Sequence, residues 1–333
     1  DLKQIVCLEV DEVDERGAMQ FGGSVTIENA ISALKQCLDG SSDRWGTAAP
    51  FSTRHLPVIL EHMGAIAGRH VRSAGSLSGN LMMVRQWGFH SDLATVLATA
   101  DARVEILAVS NSSCTNRTVS IGEFLAGSDG LDGSAAHVLV LNIIVPFARS
   151  GEVMRTYKAA LRPQNSHALV NAGFKMRFDG VGAVSDATIV YGAVNDTHPV
   201  RSPTTEKMLV ELGRAVVAED EDALLRCIEK DVVVAHSALT RNTSETTIES
   251  VAPASGDQPD LHRVAHRRRL VVNFFRKFMM DVLLLQPPVV EAATAVPPPN
   301  DDIVAAAPGG YRRDVSRAAN IRSGNLQGEG EYW

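Results

Sequence analysis

A chain of 333 residues exceeds the size at which a single hydrophobic core keeps growing, so two domains and a tail are expected. Hydrophobic residues at 45% and charged residues at 21% exclude a mainly disordered chain. The net charge of -7 disfavours unspecific binding to nucleic acid or to an acidic membrane. Cys7, Cys37, Cys114 and Cys227 lie far apart, with no CxxC spacing. That excludes a zinc ribbon or an iron–sulfur cluster built from local ligands, and it fits reduced thiols in a cytoplasmic compartment. No apolar run reaches the ~18 residues of a membrane span. The chain opens on Asp1 without a charged-then-apolar leader, and the non-Met start leads us to expect part of a longer chain.

The elements follow in chain order. Residues 1–25 alternate around an acidic turn and predict a β-hairpin. Thr26 is an N-cap candidate for a helix through Leu34. A second helix is expected from Leu56 to Ala67, with Leu56, Ile59, Leu60, Met63 and Ile66 on one face and Gly68 ending it. A loop of small residues, 72-RSAGSLSGN-80, comes next, then a third helix from Ser91 to Ala100. Strands are expected at 103–109 and 138–146, separated by a polar stretch. After Pro146, residues 155–159, 168–178 and 183–194 predict an antiparallel meander. Helices are expected at 204–216 and 219–230. One long helix over 262–286 carries Leu270, Val271, Phe274, Phe275, Phe278, Met279, Val282 and Leu285 on its apolar face. The tail over 287–322 is rich in Pro, Ala and Asp and reads as a linker. The fold class is α+β, without the regular alternation of a doubly wound sheet.

Few segments could carry chemistry. The loop 72–80 would let backbone N–H groups approach an anion, with Ser76 and Asn80 as side-chain donors. Asp92, opening the next helix, could accept from the hydroxyls of a ribityl or ribose group. It is neither GxGxxG nor GxxxxGK[ST]. His55, His62 and His70 show no ligand spacing and predict ordinary surface roles. Arg267, Arg268 and Arg269 predict a solvated helix face. No GxSxG or local Cys–His pair supports nucleophilic catalysis.

Residues 54–106 resemble the flavin domain of the molybdenum hydroxylases, the xanthine dehydrogenases and aldehyde oxidases. The family pattern there is a helix, then (R/K)-x-x-A-S-x-G-G-N, a spacer, S-D and a helix. Arg72, Ser76, Gly79, Asn80, Ser91 and Asp92 stand in those places. The strand ending in Pro146 and the segment 155–163 resemble the junction into the family's C-terminal flavoprotein domain. The helix 270–285 resembles that domain's last helix, and 326-LQGEGEYW-333 resembles the opening of the molybdenum-binding portion.

The resemblance implies an incomplete FAD-binding domain over 1–147 with its first lobe missing. It further implies a smaller α+β C-terminal flavoprotein domain over 148–286, a linker over 287–322, and the start of the molybdenum portion over 323–333. It implies FAD as the cofactor of this segment. The molybdenum cofactor and [2Fe-2S] clusters would lie in missing parts, which become its partners in a parent homodimer. Ile66, Ala67 and Gly68 would sit near the flavin. Ser76, Leu77, Ser78, Gly79 and Asn80 would hold its phosphates and sugar. Asp92 would accept a hydrogen bond from it, Val140 would pack near the ring, and Lys158 would lie close to the isoalloxazine. A cation there suits the negative charge a reduced flavin carries.

The segment 161-LRPQNSHALVN-171 resembles the aldehyde oxidase side, which implies oxygen as the acceptor. The alternatives are a xanthine dehydrogenase-like segment using NAD and a cofactor-free interaction module. No V-x-G-N-T loop for the pyrophosphate is present. Ser78 replaces a family Gly, and if that position needs positive φ, Ser costs roughly 1–2 kcal/mol.

Overall fold

The computed structural model describes residues 2–8, 16–39, 52–109, 114–128, 137–163, 165–195, 197–213, 221–232 and 261–284. The chain divides into a unit Asp1–Val290 and a unit Glu291–Trp333. The second unit lies outside the described residues, and with it most of the expected linker and the segment 326–333.

The first sheet begins with the expected hairpin. β1 (Ile5–Leu8) pairs antiparallel with β2 (Ala18–Gly22). α1 (Ile27–Leu38) starts where the Thr26 hydroxyl accepts from the Asn29 N–H at 3.2 Å. α2 spans Leu56–Gly64, shorter than expected, because the chain turns at Ala67 into positive φ (42°). The region expected as an open loop is largely helical. It forms α3 (Arg69–Ala74), a two-residue break at Gly75 and Ser76, and α4 (Leu77–Trp87), capped by Ser76 and ended by Gly88 at φ 61°. Small residues suggested a loop, but Ser76 is a helix cap and Leu77, Leu81 and Val84 bury one face.

α5 (Asp92–Thr99) follows, with Ser91 as its cap. β3 (Arg103–Val109), β4 (Cys114–Ser120) and β5 (His137–Pro146) complete a sheet in the order β1-β2-β5-β3-β4. β4 falls in the stretch read only as polar. It is an edge strand, exposed on nearly every residue, so it carries no apolar alternation. α6 (Ile121–Ala126) opens on a capping box between Ser120 and Glu123.

The meander forms as expected. β6 (Glu152–Ala160), β7 (Ala168–Phe178) and β8 (Val184–Gly192) pair in sequence, with a two-residue β9 (Val200–Arg201) at the edge. α7 (Pro203–Leu212) and α9 (Leu261–Leu284) cover this sheet, and α8 (Glu221–Asp231) packs against both helices. α9 buries Val271, Phe275, Phe278, Met279 and Val282, with Phe278 stacked on Phe174 of β7 at 5.0 Å between ring centres. Leu270 and Phe274 are half-buried, and Leu285 lies outside the described residues.

Two apolar clusters result, one per sheet. α5 serves both. Leu93, Ala94, Val96 and Leu97 join the first cluster. Thr95 and Thr99, on the other side, meet Gly192 and Gly173 of the second sheet. A Cβ on either glycine would overlap a threonine hydroxyl, so the helix docks against bare backbone.

Candidate functional site

The site is built at the N-terminal end of α5. The Ser91 hydroxyl accepts from the Ala94 N–H at 3.0 Å and starts the helix. Asp92 then occupies the first turn, where the helix dipole favours a carboxylate. Across from it, Lys158 of β6 and Asn171 of β7 are register partners, so their side chains share one face of the sheet. The Lys158 ammonium lies 2.7 Å from Asp92 Oδ2 and donates to the Ala65 carbonyl at 3.1 Å. The Asn171 side-chain N–H donates to Asp92 Oδ1. The Thr95 hydroxyl donates to Asn171 Oδ1 at 2.8 Å. The side chains of Lys158 and Asp92 are only 11% and 9% exposed, so removing either would leave a poorly solvated charge. His62 of α2 lies below this pair. Burial, aided by the Lys158 charge and opposed by Asp92, holds its pKa below the ordinary imidazole value.

The loop after α2 is fixed by Arg72 of α3. Its guanidinium meets Glu28 at 2.9 Å and donates to the carbonyls of Ile66 at 2.8 Å and of Gly64 and Ala67 at 3.2 Å. This leaves Ile66, Ala67 and Gly68 half-exposed beside Lys158, which holds the neighbouring Ala65 carbonyl. Ala67 sits at φ 42°, a conformation a non-glycine residue keeps only when its surroundings impose it.

At the start of α4, the N–H groups have acceptors within the chain. Leu77 donates to the Val25 carbonyl at 2.9 Å and Ser78 to the Gly23 carbonyl at 3.4 Å. Gly79 donates to Ser76 Oγ at 3.0 Å, and Asn80 to the Ser76 carbonyl at 3.1 Å. The Ser78 hydroxyl also reaches the Gly23 carbonyl, at 2.5 Å. Ser78 is absent from the residues with positive φ, so the backbone cost expected for it does not arise. Asn80 Oδ1 accepts from the Ser91 hydroxyl, which ties this helix start to Asp92's turn. Val140 is buried in the first core, its carbonyl against Gly23.

The residues the resemblance singled out therefore fall into two linked groups. Ile66, Ala67, Gly68, Asp92 and Lys158 are joined through Arg72 and Ala65, and Asn80 through Ser91. Ser76, Leu77, Ser78, Gly79 and Val140 gather around Gly23, Val25 and Ser76 itself. Sequence reading missed Asn171, Thr95 and the position of His62. A signal existed for Asn171, a lone polar residue inside the apolar strand 168–174.

The histidines correct an expectation. His55 and His62 are 3% and 4% exposed, not surface residues, while His70 is exposed. His55 belongs to a second charged cluster, with Glu152 at 4.0 Å, Arg16 between Glu152 and Asp101, and Lys175 on Asp101. Burial, with the Lys175 and Arg16 charges, lowers its pKa to about 3. Arg267 is buried too, donating to the Leu169 carbonyl at 2.9 Å, whereas Arg268 and Arg269 are exposed as expected. Among the described residues, no cluster of His, Cys, Asp and Glu could hold a metal, and no helix is long and apolar enough to cross a membrane.

Comparison with known proteins agrees with this architecture. Residues 1–148 match the family described as the FAD binding domain in molybdopterin dehydrogenase. Residues 155–244 match the CO dehydrogenase flavoprotein C-terminal domain. An indole-3-acetaldehyde oxidase of Arabidopsis thaliana is 31% identical over 251 residues, covering 70% of this chain. Aldehyde oxidase 1 of Cavia porcellus is 26% identical over 277 residues, covering 83%. The chain spans only 16% and 18% of the lengths of these two relatives. The reconstituted CO dehydrogenase from Oligotropha carboxidovorans shares the fold at 16% identity, with a TM-score of 0.54 over 83% of this chain and 76% of that one. Two consecutive domains of the molybdenum hydroxylase flavoprotein type are thus matched in order along this chain.

Proposed function

We propose that the chain is the FAD-holding segment of an aldehyde oxidase-like molybdo-flavoenzyme. In it, electrons pass from iron–sulfur clusters through FAD to oxygen. The observation that carries this reading is the Lys158–Asp92 pair, held beside the half-exposed loop Ile66–Gly68. A bound FAD would supply the electron transfer. Lys158 would hold a positive charge against the ring end, Asp92 would keep that ammonium aimed, and the loop set by Arg72 would cover one side of the ring. Asn80 and the exposed Gly79 would line the approach toward the sugar and phosphates. Oxygen as acceptor rests on the likeness of residues 161–171 to the aldehyde oxidases. The partners would be iron–sulfur and molybdenum portions of a homodimeric, cytoplasmic parent.

The residues present fit the ring end of the cofactor better than its pyrophosphate. The amides of residues 77–80 already have acceptors in the chain, so phosphate would depend on donors elsewhere. The same observation favours a second reading, a cofactor-free module in which this helix start is structural. Titrating the purified chain with FAD separates the two. Flavin reading predicts saturable quenching of flavin fluorescence, weakened about tenfold by Lys158→Met, as for one lost charge-assisted contact. No binding by the unaltered chain would leave the cofactor-free reading standing.

A further inference from the structure

We propose that Asn171, oriented by Thr95, is a positioning residue that locks the Asp92 carboxylate and thereby aims Lys158. Its relevance to flavin rests on the reading above, but its geometry does not. Asn171 is 1% exposed and Thr95 is fully buried. A carboxamide has a donor end and an acceptor end. The Thr95 hydroxyl donates to Asn171 Oδ1, which turns the N–H end toward Asp92 Oδ1. A flipped amide would set its oxygen against a carboxylate, two acceptors without a hydrogen between them.

The lock leaves Asp92 Oδ2 facing Lys158. Lys158 is a flexible four-carbon stem whose ammonium could point elsewhere. Here two acceptors hold it, Asp92 Oδ2 and the Ala65 carbonyl. Asp92 itself is held against rotation from the far side by Asn171, which donates to its Oδ1. The chain also makes room for this arrangement. Gly192 faces both Asn171 and Thr95, and a Cβ there would overlap the side-chain oxygens of both. A residue merely filling the core would not need a bare backbone opposite two hydrogen-bonding groups. Asn171 and Thr95 come from the two halves of the chain, β7 and α5, so their docking is what completes the aim of the lysine.

The test is competitive acylation of lysine amines by acetic anhydride in the full chain without FAD, read by peptide mass spectrometry. Lys207, on an exposed helix face, is the accessible reference, and Lys175, buried on β7, reports intact folding. Lys158 should label slowly in the unaltered chain. Asn171→Ala should speed it about tenfold relative to Lys207, the loss of roughly one hydrogen bond to a charged group, with Lys175 still protected. Should Asn171→Ala unfold the chain, the pair Thr95→Val and Thr95→Ser decides. The valine variant loses the hydroxyl and should expose Lys158, and the serine variant keeps it and should not. Unchanged Lys158 labelling in folded Asn171→Ala or Thr95→Val overturns the proposal, and so does equal exposure in Thr95→Val and Thr95→Ser. In a parallel arm, flavin absorbance of the chain mixed with FAD reports the underlying reading. A chain that takes up no FAD removes the flavin assignment, while the labelling still decides the positioning role.

Discussion

The two ends of α5 carry the same pair of residue types in two different settings. At the N-terminal end, Asp92 meets Lys158 beside a half-exposed loop. Past the C-terminal end, Asp101 meets Lys175, which is 2% exposed, and Arg16 at 3.6 Å. Both pairs join the helix to the second sheet. The N-terminal pair puts its carboxylate where the helix dipole welcomes it and leaves its ammonium near the surface. At the other end the ammonium is buried and the carboxylate is partly exposed, on a residue at φ 55°. Burial would raise the Asp101 carboxyl, but the Lys175 charge and hydrogen bond, with Arg16, more than offset it and hold it below the usual carboxylate range. Identical residue types thus stand beside a half-exposed loop at one end and form a cohesive joint at the other.

Substitutions can break this contrast. The largest effect is expected from Lys175→Met, which leaves Asp101 and the neighbouring charges unbalanced. It should lower unfolding free energy by about 3 kcal/mol in denaturant titration, as breaking a buried pair does. An effect below that of Lys158→Met would reverse the assignment of the two ends. Lys158→Met should act on the cofactor instead. The midpoint potential of bound FAD should fall by about 30 mV, the equivalent of ~1.4 kcal/mol for a two-electron couple. An unchanged potential would remove Lys158 from the flavin.

Acid should act on the cohesive end through two groups. His55 has a folded pKa below its unfolded value, so its neutral form contributes full stability above about pH 6.5. That contribution falls by about 1.4 kcal/mol per pH unit as pH drops from there toward about 3. Asp101 follows at lower pH, its contribution present above the unfolded value of 3.8 and lost as pH falls through its still lower folded value. Unfolding curves of His55→Asn should lose the first of these slopes and keep the second. The smallest effect is expected at the exposed edge. Ala67→Gly relieves the left-handed backbone at some entropic cost and should stabilise by about 0.5 kcal/mol, readable as a small rise in Tm.

Element type was legible where pattern and burial agree, as in α9 and the strands β6 to β8. It was illegible in β4, whose residues face water, and in α3 and α4, where small polar residues are caps and helix positions rather than a loop. Asp92 was legible from its place at a helix start, whereas Lys158 entered through family likeness, since an isolated lysine in a strand carries no signal of its own. Asn171 could have been noticed as a polar residue on an apolar strand, but its partner lies 76 residues away and only the fold brings them together. The buried His55 and His62 were unreadable for the same reason. Their burial depends on which helix face meets the core, and a histidine breaks no apolar period.

The threonine–glycine contacts beneath α5 bear on how such chains evolve. Thr95 and Thr99 belong to the first matched domain, and Gly192 and Gly173 to the second. Exchange of either domain between relatives, by recombination near residue 150, therefore preserves a working seam only when small residues face hydroxyls on both sides. A bulkier residue at either glycine would demand a matching change in the helix, although a family border runs between them.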